Sequence, residues 1–436
     1  MEQKIKVAIA GLGSRGKDVY ARALERFSDK VEITAVADID AQKTAIAARR
    51  YHIPEERCFA SAEELLEQDR LADVMVIATQ DRQHVGHAIP ALRKGYHLLL
   101  EKPVSPFLEE CVELARVAKE CERMVVVCHV LRYTPIYRKV KEILDSGKIG
   151  EVVSIAASEN VGWYHMAHSF VRGNWRNSDE TSPMILQKCC HDMDLYLWLA
   201  GKTCESVSSY GSTYLFKEEN APEGSTAYCL DGCSHRGICP FDAESIYLDN
   251  EKIGCRKGNH GWPLDVLVEA PTEEDVLETL RNGRYGRCVY HCDNNVVDHQ
   301  VVNLQMTDGS TMSFTMSGFS QNIERIAVFY GTKGQLDVTM GSSGKADSRL
   351  EVRMFTPDCP VERINVSELA DDFSGHGGGD AVMVEEFLQI LLGERVSSSA
   401  VTTLEQSLES HYCALAAEQS RLRGGQVVWL DEMRRG

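Results

Sequence analysis

The sequence predicts an α/β protein in two parts: an N-terminal doubly wound parallel sheet, then an α+β part with a largely antiparallel sheet. Three observations carry this. Short apolar runs alternate with amphipathic helical stretches over the first 130 or so residues, the pattern of βαβ units. A glycine-rich turn stands between the first apolar run and the first helical stretch. Beyond about Pro135 the strand-like runs lengthen and alternate residue by residue, the period of a sheet with one solvated face.

In the first part the strand candidates are Ile5–Ala10, Ile33–Ala37, Val74–Ala78, His97–Leu100 and Met124–Cys128. Helical patterns at Ala41–Tyr51, Ala62–Gln68 and Val85–Lys94 lie between them. Right-handed crossovers between parallel strands place a ligand site at the carboxyl ends of the strands. In the second part, helical patterns at Ile136–Ser146 and His191–Ala200 accompany strands at Val152–Ser158, Val301–Met306 and Thr311–Met316. The last two read as a hairpin around Asp308-Gly309. Residues from about 215 to 290 read as an insertion rich in Cys, Gly and polar side chains. Gly375–Gly379 opens a last helical region, Ala381–Leu392, followed by Leu404–Gln419. The domain division expected is 1–130 and 131–436, the insertion belonging to the second domain.

A length of 436 residues suits two domains, and 43% hydrophobic with 26% charged residues suits a chain that buries a real core. A net charge of -18 disfavours nucleic acid and anionic membrane surfaces as partners. No run is apolar for the length a membrane span needs. The N-terminus enters a strand pattern without a signal-peptide layout, so the expected location is cytoplasmic. In that compartment the 15 cysteines are kept reduced and serve as free, metal-binding or catalytic thiols.

Gly11-Leu12-Gly13-Ser14-Arg15-Gly16 follows the first strand and precedes a helix. Gly11 permits the tight turn, Gly13 lets backbone approach a pyrophosphate, and Gly16 permits close helix–strand packing. The helix start at Ser14 and Arg15 then offers free N–H groups to phosphates. This is the fingerprint of a Rossmann dinucleotide site. Asp38 closes the second strand, where an acid hydrogen-bonds a ribose 2′-OH, and Asp40 adds negative charge beside it. NAD is therefore expected over NADP; Arg15 is the one residue that argues the other way.

Ala78-Thr79 ends the third strand, with Asp81 and His84 after it, and Glu101-Lys102-Pro103 follows Leu98–Leu100. Arg132-Tyr133-x-Pro135, Gly147-Lys148-Ile149-Gly150-Glu151 and His191-Asp192-x-Asp194 come next in order. Together these resemble the glucose–fructose oxidoreductase/inositol dehydrogenase (Gfo/Idh/MocA) family, over nearly the whole chain outside the Cys-rich insertion. The resemblance implies an NAD-dependent oxidoreductase acting on a secondary hydroxyl of a sugar, sugar derivative or polyol. It implies Thr79, His84, Glu101, Lys102 and Arg176 at the cofactor, and Lys102 as the acid/base residue near the nicotinamide. It also implies a homodimer or homotetramer. The chemistry supports Lys102 independently, because oxidising a carbinol requires that its hydroxyl proton be taken. Pro103 is a candidate cis proline.

Members of that family often carry Asp-x-x-x-His at the second catalytic position, where this chain reads Gln187-Lys188-Cys189-Cys190-His191. Gln187 can hold a hydroxyl but cannot take a proton, so His191 and Lys102 carry the proton work, or Lys188 contributes. If this stretch is helical, positions 187 and 191 share one face. His165, His168, Arg172 and Trp175 are expected with Lys188 in a sugar site, offering an aromatic plate and dense donors. The resemblance makes His376-Gly377-Gly378-Gly379-Asp380 a candidate segment to close that site from the C-terminal side.

Cys229-x3-Cys233-x5-Cys239 lies in the insertion, followed by Cys288 and Cys292. Three thiols so close together in a reduced compartment predict a closed structural zinc site of Cys229, Cys233, Cys239 and Cys292. The family resemblance leaves two further functional readings open. One is an NAD-using glycosidase that oxidises its sugar transiently and eliminates a substituent. The other is a non-enzymatic NAD-binding regulator, against which the presence of both Lys102 and His191 counts.

Overall fold

The computed structural model describes residues 4–342, 347–358, 360–395, 398–401 and 403–435. Six parallel strands form the first sheet: β1 (Ile5–Ala10), β2 (Val31–Ala37), β3 (Cys58–Phe59), β4 (Val74–Ile77), β5 (His97–Leu100) and β6 (Val125–Val127). Their spatial order is β3-β2-β1-β4-β5-β6. The order reverses between β1 and β4, so a crevice opens at the carboxyl ends of these two strands. Both faces are covered, which is why β4 is apolar and buried at every position.

One face packs Val7, Ile9, Val36, Val76 and Leu99 against Met383, Val384 and Phe387 of the helix Ser374–Leu391. The other packs Ala8, Met75, Ile77, Leu98 and Leu100 with Leu404 and Leu408 of the helix Leu404–Leu422. Two helices near the end of the chain therefore complete the core of the N-terminal sheet. The last of them is started by a capping box in which Thr403 and Gln406 satisfy each other's backbone N–H groups.

The second sheet has nine strands, in the order β14-β13-β12-β11-β7-β10-β9-β8-β15. These are β7 (Val152–Asn160), β8 (Cys204–Ser212), β9 (His299–Met306), β10 (Thr311–Ser317), β11 (Glu324–Gly331), β12 (Gly334–Gly341), β13 (Arg349–Met354), β14 (Glu362–Ile364) and β15 (Val428–Trp429). Only β7 and β10 pair in parallel; every other neighbour is antiparallel. The expected hairpin is present as β9–β10, with Gly309 at φ +85° in its turn. Burial alternates strictly along β9, so one face of the sheet is open. The other face packs Phe314 and Phe329 with Ile136, Tyr137, Val140, Met193 and Tyr196 of the helices Pro135–Asp145 and Cys190–Ala200. The Cys-rich insertion runs between β8 and β9 as turns and short helices, the longest of which is Glu273–Asn282. No helix among the described residues is long and apolar enough to cross a membrane.

Candidate active site

The glycine loop sits at the carboxyl end of β1. Gly11 has φ +90°, and a Cβ there would stand 2.4 Å from the Ala78 carbonyl oxygen. A Cβ on Gly16 would stand 1.8 Å from the Gly11 carbonyl oxygen. Both glycines are thus demanded by packing. A Cβ on Gly13 would meet nothing within 4 Å. Gly13 caps the helix beginning at Ser14, whose first turn has no side-chain cap. The loop therefore leaves open space in front of uncapped helix N–H groups, the cradle a pyrophosphate fills. Asp38 stands beside it: one carboxylate oxygen accepts from the Leu12 N–H at 2.6 Å, the other from the Asp40 N–H at 2.9 Å. Asp40 itself caps the next helix through the Gln42 N–H. These residues fit a dinucleotide with a free ribose 2′-OH.

Arg15 turns away from the ribose side. Its Nε donates to Glu101 at 2.6 Å, and its Nη2 donates to the Tyr20 hydroxyl at 2.6 Å and lies 2.9 Å from Asp380. The Tyr20 hydroxyl donates to the same Glu101 oxygen, and the Lys102 N–H donates to the other at 3.0 Å. Burial opposes the ionised form of Glu101, but the charges of Arg15 and Lys102 and the hydrogen bonds from Tyr20 and Arg15 hold its carboxyl below the usual range. Glu101 is thereby a buried anion that fixes the backbone from which Lys102 projects. The Lys102–Pro103 peptide is cis. His84 bridges the carbonyl oxygens of Pro103, at 2.7 Å, and Thr79, at 3.1 Å, tying together the turns after β4 and β5. The Thr79 hydroxyl pairs with His87 at 3.1 Å.

The Lys102 ammonium donates to the backbone carbonyl of Gln187 at 2.7 Å. Gln187 ends a short helix, Met184–Gln187, and the helix carrying His191 restarts at Cys190. The interruption at Lys188–Cys189 means that 187 and 191 do not share one continuous helical face. The Gln187 Oε1 and His191 Nδ1 atoms are buried with no hydrogen-bond partner. The His191 ring lies between those of His129 and His376, with centroids 5.9 and 6.1 Å away. Burial, then the charge of Lys102 and the rings of His129 and His376, push its pKa well below the ordinary histidine value, so the ring is neutral. His376 pairs with Asp380 at 3.0 Å and approaches Arg15 at 3.3 Å, so the Gly-rich segment does reach the site, at the glycine-loop helix.

On the other side, Lys188 lies 3.2 Å from Glu159 of β7, and Arg325 of β11 pairs with Glu159 at 3.0 Å and Asp192 at 2.8 Å. His165 faces Trp262 of the insertion, with ring centroids 4.8 Å apart. A few residues on, Glu269 pairs with Lys17 of the glycine-loop helix at 3.0 Å. The insertion thus reaches from the His165 segment to the nucleotide loop, with 37% of the Trp262 surface left exposed.

Residues 5–129 match the NAD-binding Rossmann-fold domain of the Gfo/Idh/MocA oxidoreductases, and residues 141–428 match the C-terminal α/β domain of the same proteins. The chain belongs to the Gfo/Idh/MocA family. It is 25% identical over 399 residues to the putative oxidoreductase YteT of Bacillus subtilis, covering 87% of each chain. It is 28% identical over 225 residues to an inositol 2-dehydrogenase of Leifsonia xyli, covering 50% of this chain and 59% of that one. Its fold matches the WlbA dehydrogenase of Bordetella pertussis, solved with NADH and UDP-GlcNAcA, with a TM-score of 0.69, 18% identity and 98% of each chain covered.

Within this Gfo/Idh/MocA oxidoreductase several expected ligands have other work. His168 is buried, stacked on Tyr285 at 4.7 Å and bonded to the Tyr247 hydroxyl at 2.9 Å. Arg172 is fully buried and donates to the carbonyl oxygens of Arg287 at 2.7 Å and Phe241 at 2.6 Å. Both side chains hold the insertion against the segment that carries them. Trp175 packs against Phe170, with ring centroids 6.3 Å apart. Arg176 is held by Asp293 at 2.7 Å and Glu180 at 3.1 Å, so its guanidinium is committed to acids.

The zinc expectation needs correction. Cys229, Cys233, Cys239 and Cys288 do border one small cavity. Cys292 turns instead to the Cys288 carbonyl at 3.2 Å, and Cys229 receives Arg172 at 3.7 Å. Among the described residues no group of three or more His, Cys, Asp or Glu side chains is arranged to hold a metal ion. Missed from the sequence were Tyr20, His129, Trp262 and Glu269. None lies in a recognisable motif, and each is brought to the site by tertiary packing.

Proposed function

We propose that this oxidoreductase is an NAD-dependent dehydrogenase that oxidises a secondary hydroxyl of a ring-shaped sugar, sugar derivative or cyclic polyol. The observation that carries it is Lys102 following β5, with its neighbour Glu101 bound by Arg15 of the glycine loop and its charge helping to keep His191, which has an unpartnered ring nitrogen, neutral. Gly11–Gly16 and Asp38 would hold NAD, with Asp38 on the ribose hydroxyls and Arg15 already spent on Glu101 and Asp380. When bound, NAD supplies the hydride acceptor. The hydroxyl proton must leave as the C–H bond breaks, and Lys102, once its ammonium has given up a proton to solvent, would be the group to take it. His191 Nδ1 and Gln187 Oε1 offer two unsatisfied polar atoms to neighbouring hydroxyls. Trp262 and His165 offer the aromatic wall a ring substrate needs. The inositol 2-dehydrogenase relatives and the UDP-sugar bound by the WlbA dehydrogenase support a cyclic, hydroxyl-rich substrate.

The open face of the nine-stranded sheet exposes Val153, Val301, Ile326 and Tyr330. An apolar face of this kind supports self-association into a homodimer or homotetramer. The acidic chain supports a cytoplasmic, small-molecule role.

The test is NADH formation with purified protein, NAD and a panel of free sugars, sugar acids, sugar nucleotides and inositols. Reduction of NAD by at least one cyclic member is expected. Failure with the whole panel would overturn the reading. Cleavage of a glycoside with no net NADH would transfer the protein to the oxidation–elimination alternative.

A further inference from the structure

At the opposite edge of the N-terminal sheet, the starts of β1, β4 and β5 border a solvent-open cavity of about 230 Å³. Arg70, Asp73, His97, Arg123 and Leu391 are among its walls. The glycine loop lies at the other end of the same strands, so this cavity is separate from the dinucleotide site. Two guanidinium groups converge here. Gly95 has φ +90°, and a Cβ on it would come 3.2 Å from Arg70 Nη1 and 3.7 Å from Arg123 Nε. Like charges held this close call for compensation. Arg70 Nη1 donates to the Gly95 carbonyl at 3.1 Å, and the acid in the wall, Asp73, takes Arg70 Nη2 at 3.3 Å with one oxygen and the Lys6 N–H at 3.0 Å with the other.

Arg123 Nε is buried with no hydrogen-bond partner, and its Nη1 makes a long bond of 3.4 Å to the Glu122 carbonyl. The His97 Nδ1 accepts from the Met124 N–H at 3.1 Å, which leaves Nε2 as the donor of the neutral ring. Burial, then Arg123 and Arg70, lower the His97 pKa. A pocket with surplus positive charge and unspent donors, on a chain of net charge -18, is a site built for an anion. Guanidinium forks match the oxygens of phosphate two at a time. Pockets for drug-sized ligands run from roughly 300 to 1,000 Å³, so this one suits a single small anion.

We propose that this cavity binds a phosphate group, free or carried on a small sugar phosphate. The proposal does not depend on the dehydrogenase reading. The test uses NAD-saturated protein, so that the glycine loop is blocked, and titrates inorganic phosphate by calorimetry at constant ionic strength with chloride. Saturable binding is expected in the wild type, weakened at least tenfold in Arg123→Met with NAD affinity unchanged. A hexose phosphate binding more tightly than inorganic phosphate assigns the sugar ester; equal affinity assigns the free ion. Imidazole NMR of wild-type His97 gives a readout that needs no variant, since a bound anion raises its pKa. Absence of saturable binding, binding undiminished in Arg123→Met, or a His97 resonance indifferent to phosphate would overturn the proposal.

Discussion

The Lys102 ammonium is hydrogen-bonded to the backbone carbonyl of Gln187 at 2.7 Å, so the turn after β5 is clasped by the second domain. The bond uses backbone, not the glutamine side chain. Gln187→Ala should therefore leave Lys102 in place. It should remove only the buried, unpartnered Oε1 that faces no protein donor. One lost substrate hydrogen bond is worth about 0.5–1.5 kcal/mol, so KM should rise roughly 2- to 12-fold with kcat little changed. Steady-state kinetics check it; a kcat loss as large as that of Lys102→Ala would show that the side chain does more than hold a hydroxyl.

The cofactor preference follows from Asp38 and Arg15. With Asp38 at the loop and Arg15 bound to Glu101 and Asp380, NAD should bind at least about tenfold more tightly than NADP, about 1.4 kcal/mol. Calorimetric titration of both cofactors decides. Asp38→Ala should narrow the gap. NADP binding as well as NAD in the wild type would contradict the assignment.

Trp262 predicts a split between binding and chemistry. Its ring meets His165 and His168 at centroid distances of 4.8 and 5.4 Å, from an insertion pinned by Glu269 to Lys17. An aromatic contact is worth about 0.5–1.5 kcal/mol beyond its buried area, so Trp262→Ala should raise KM for a ring substrate by roughly 2- to 12-fold while kcat holds. An acyclic polyol should be indifferent to the change. Equal losses for both substrates would point to collapse of the insertion instead.

Buried neutral histidines predict acid lability. Burial is the leading cause that lowers His129 and His191 well below the ordinary value, His168 to about 3 and His411 to about 4. An unfolded histidine titrates near roughly 6.5, so below that pH the unfolded chain binds protons that the native one refuses. Their contribution is complete above about pH 6.5 and is lost as pH falls toward the native values, at roughly 1.4 kcal/mol per pH unit for each ring. Denaturant melts at a series of pH values should fall steeply between about 6 and 4. His168→Gln should shallow that slope by one proton; an unchanged slope would refute the linkage.

The sequence disclosed the parts whose signal is local. β1 and β5 begin and end where the apolar runs do, because both faces are buried and a glycine turn or the Glu101-Lys102 pair stops them. β3, only Cys58–Phe59, has too few residues to show a period. The glycine turn between β1 and its helix was legible from type and spacing. What was not legible arises between distant segments. Lys17 and Glu269 are 252 positions apart, and no local pattern foretells their contact. His168 and Arg172 looked like sugar ligands by composition. Their hydrogen bonds to Tyr247 and Phe241 of the insertion have no local signal. The thiol spacing suggested zinc, yet spacing does not reveal that Cys292 turns to a carbonyl.

The assignment of Lys102 is tested most directly by the kinetics of Lys102→Ala on a cyclic substrate that reduces NAD with the wild type. General acid–base catalysis contributes typically 10²–10⁴-fold, so kcat should fall by about that factor, with NAD affinity unchanged because the Gly11–Gly16 loop and Asp38 are untouched. His191→Ala should also lower kcat, and the double variant should lose less than the product of the two losses. A Lys102→Ala enzyme that keeps near-normal kcat would contradict the account.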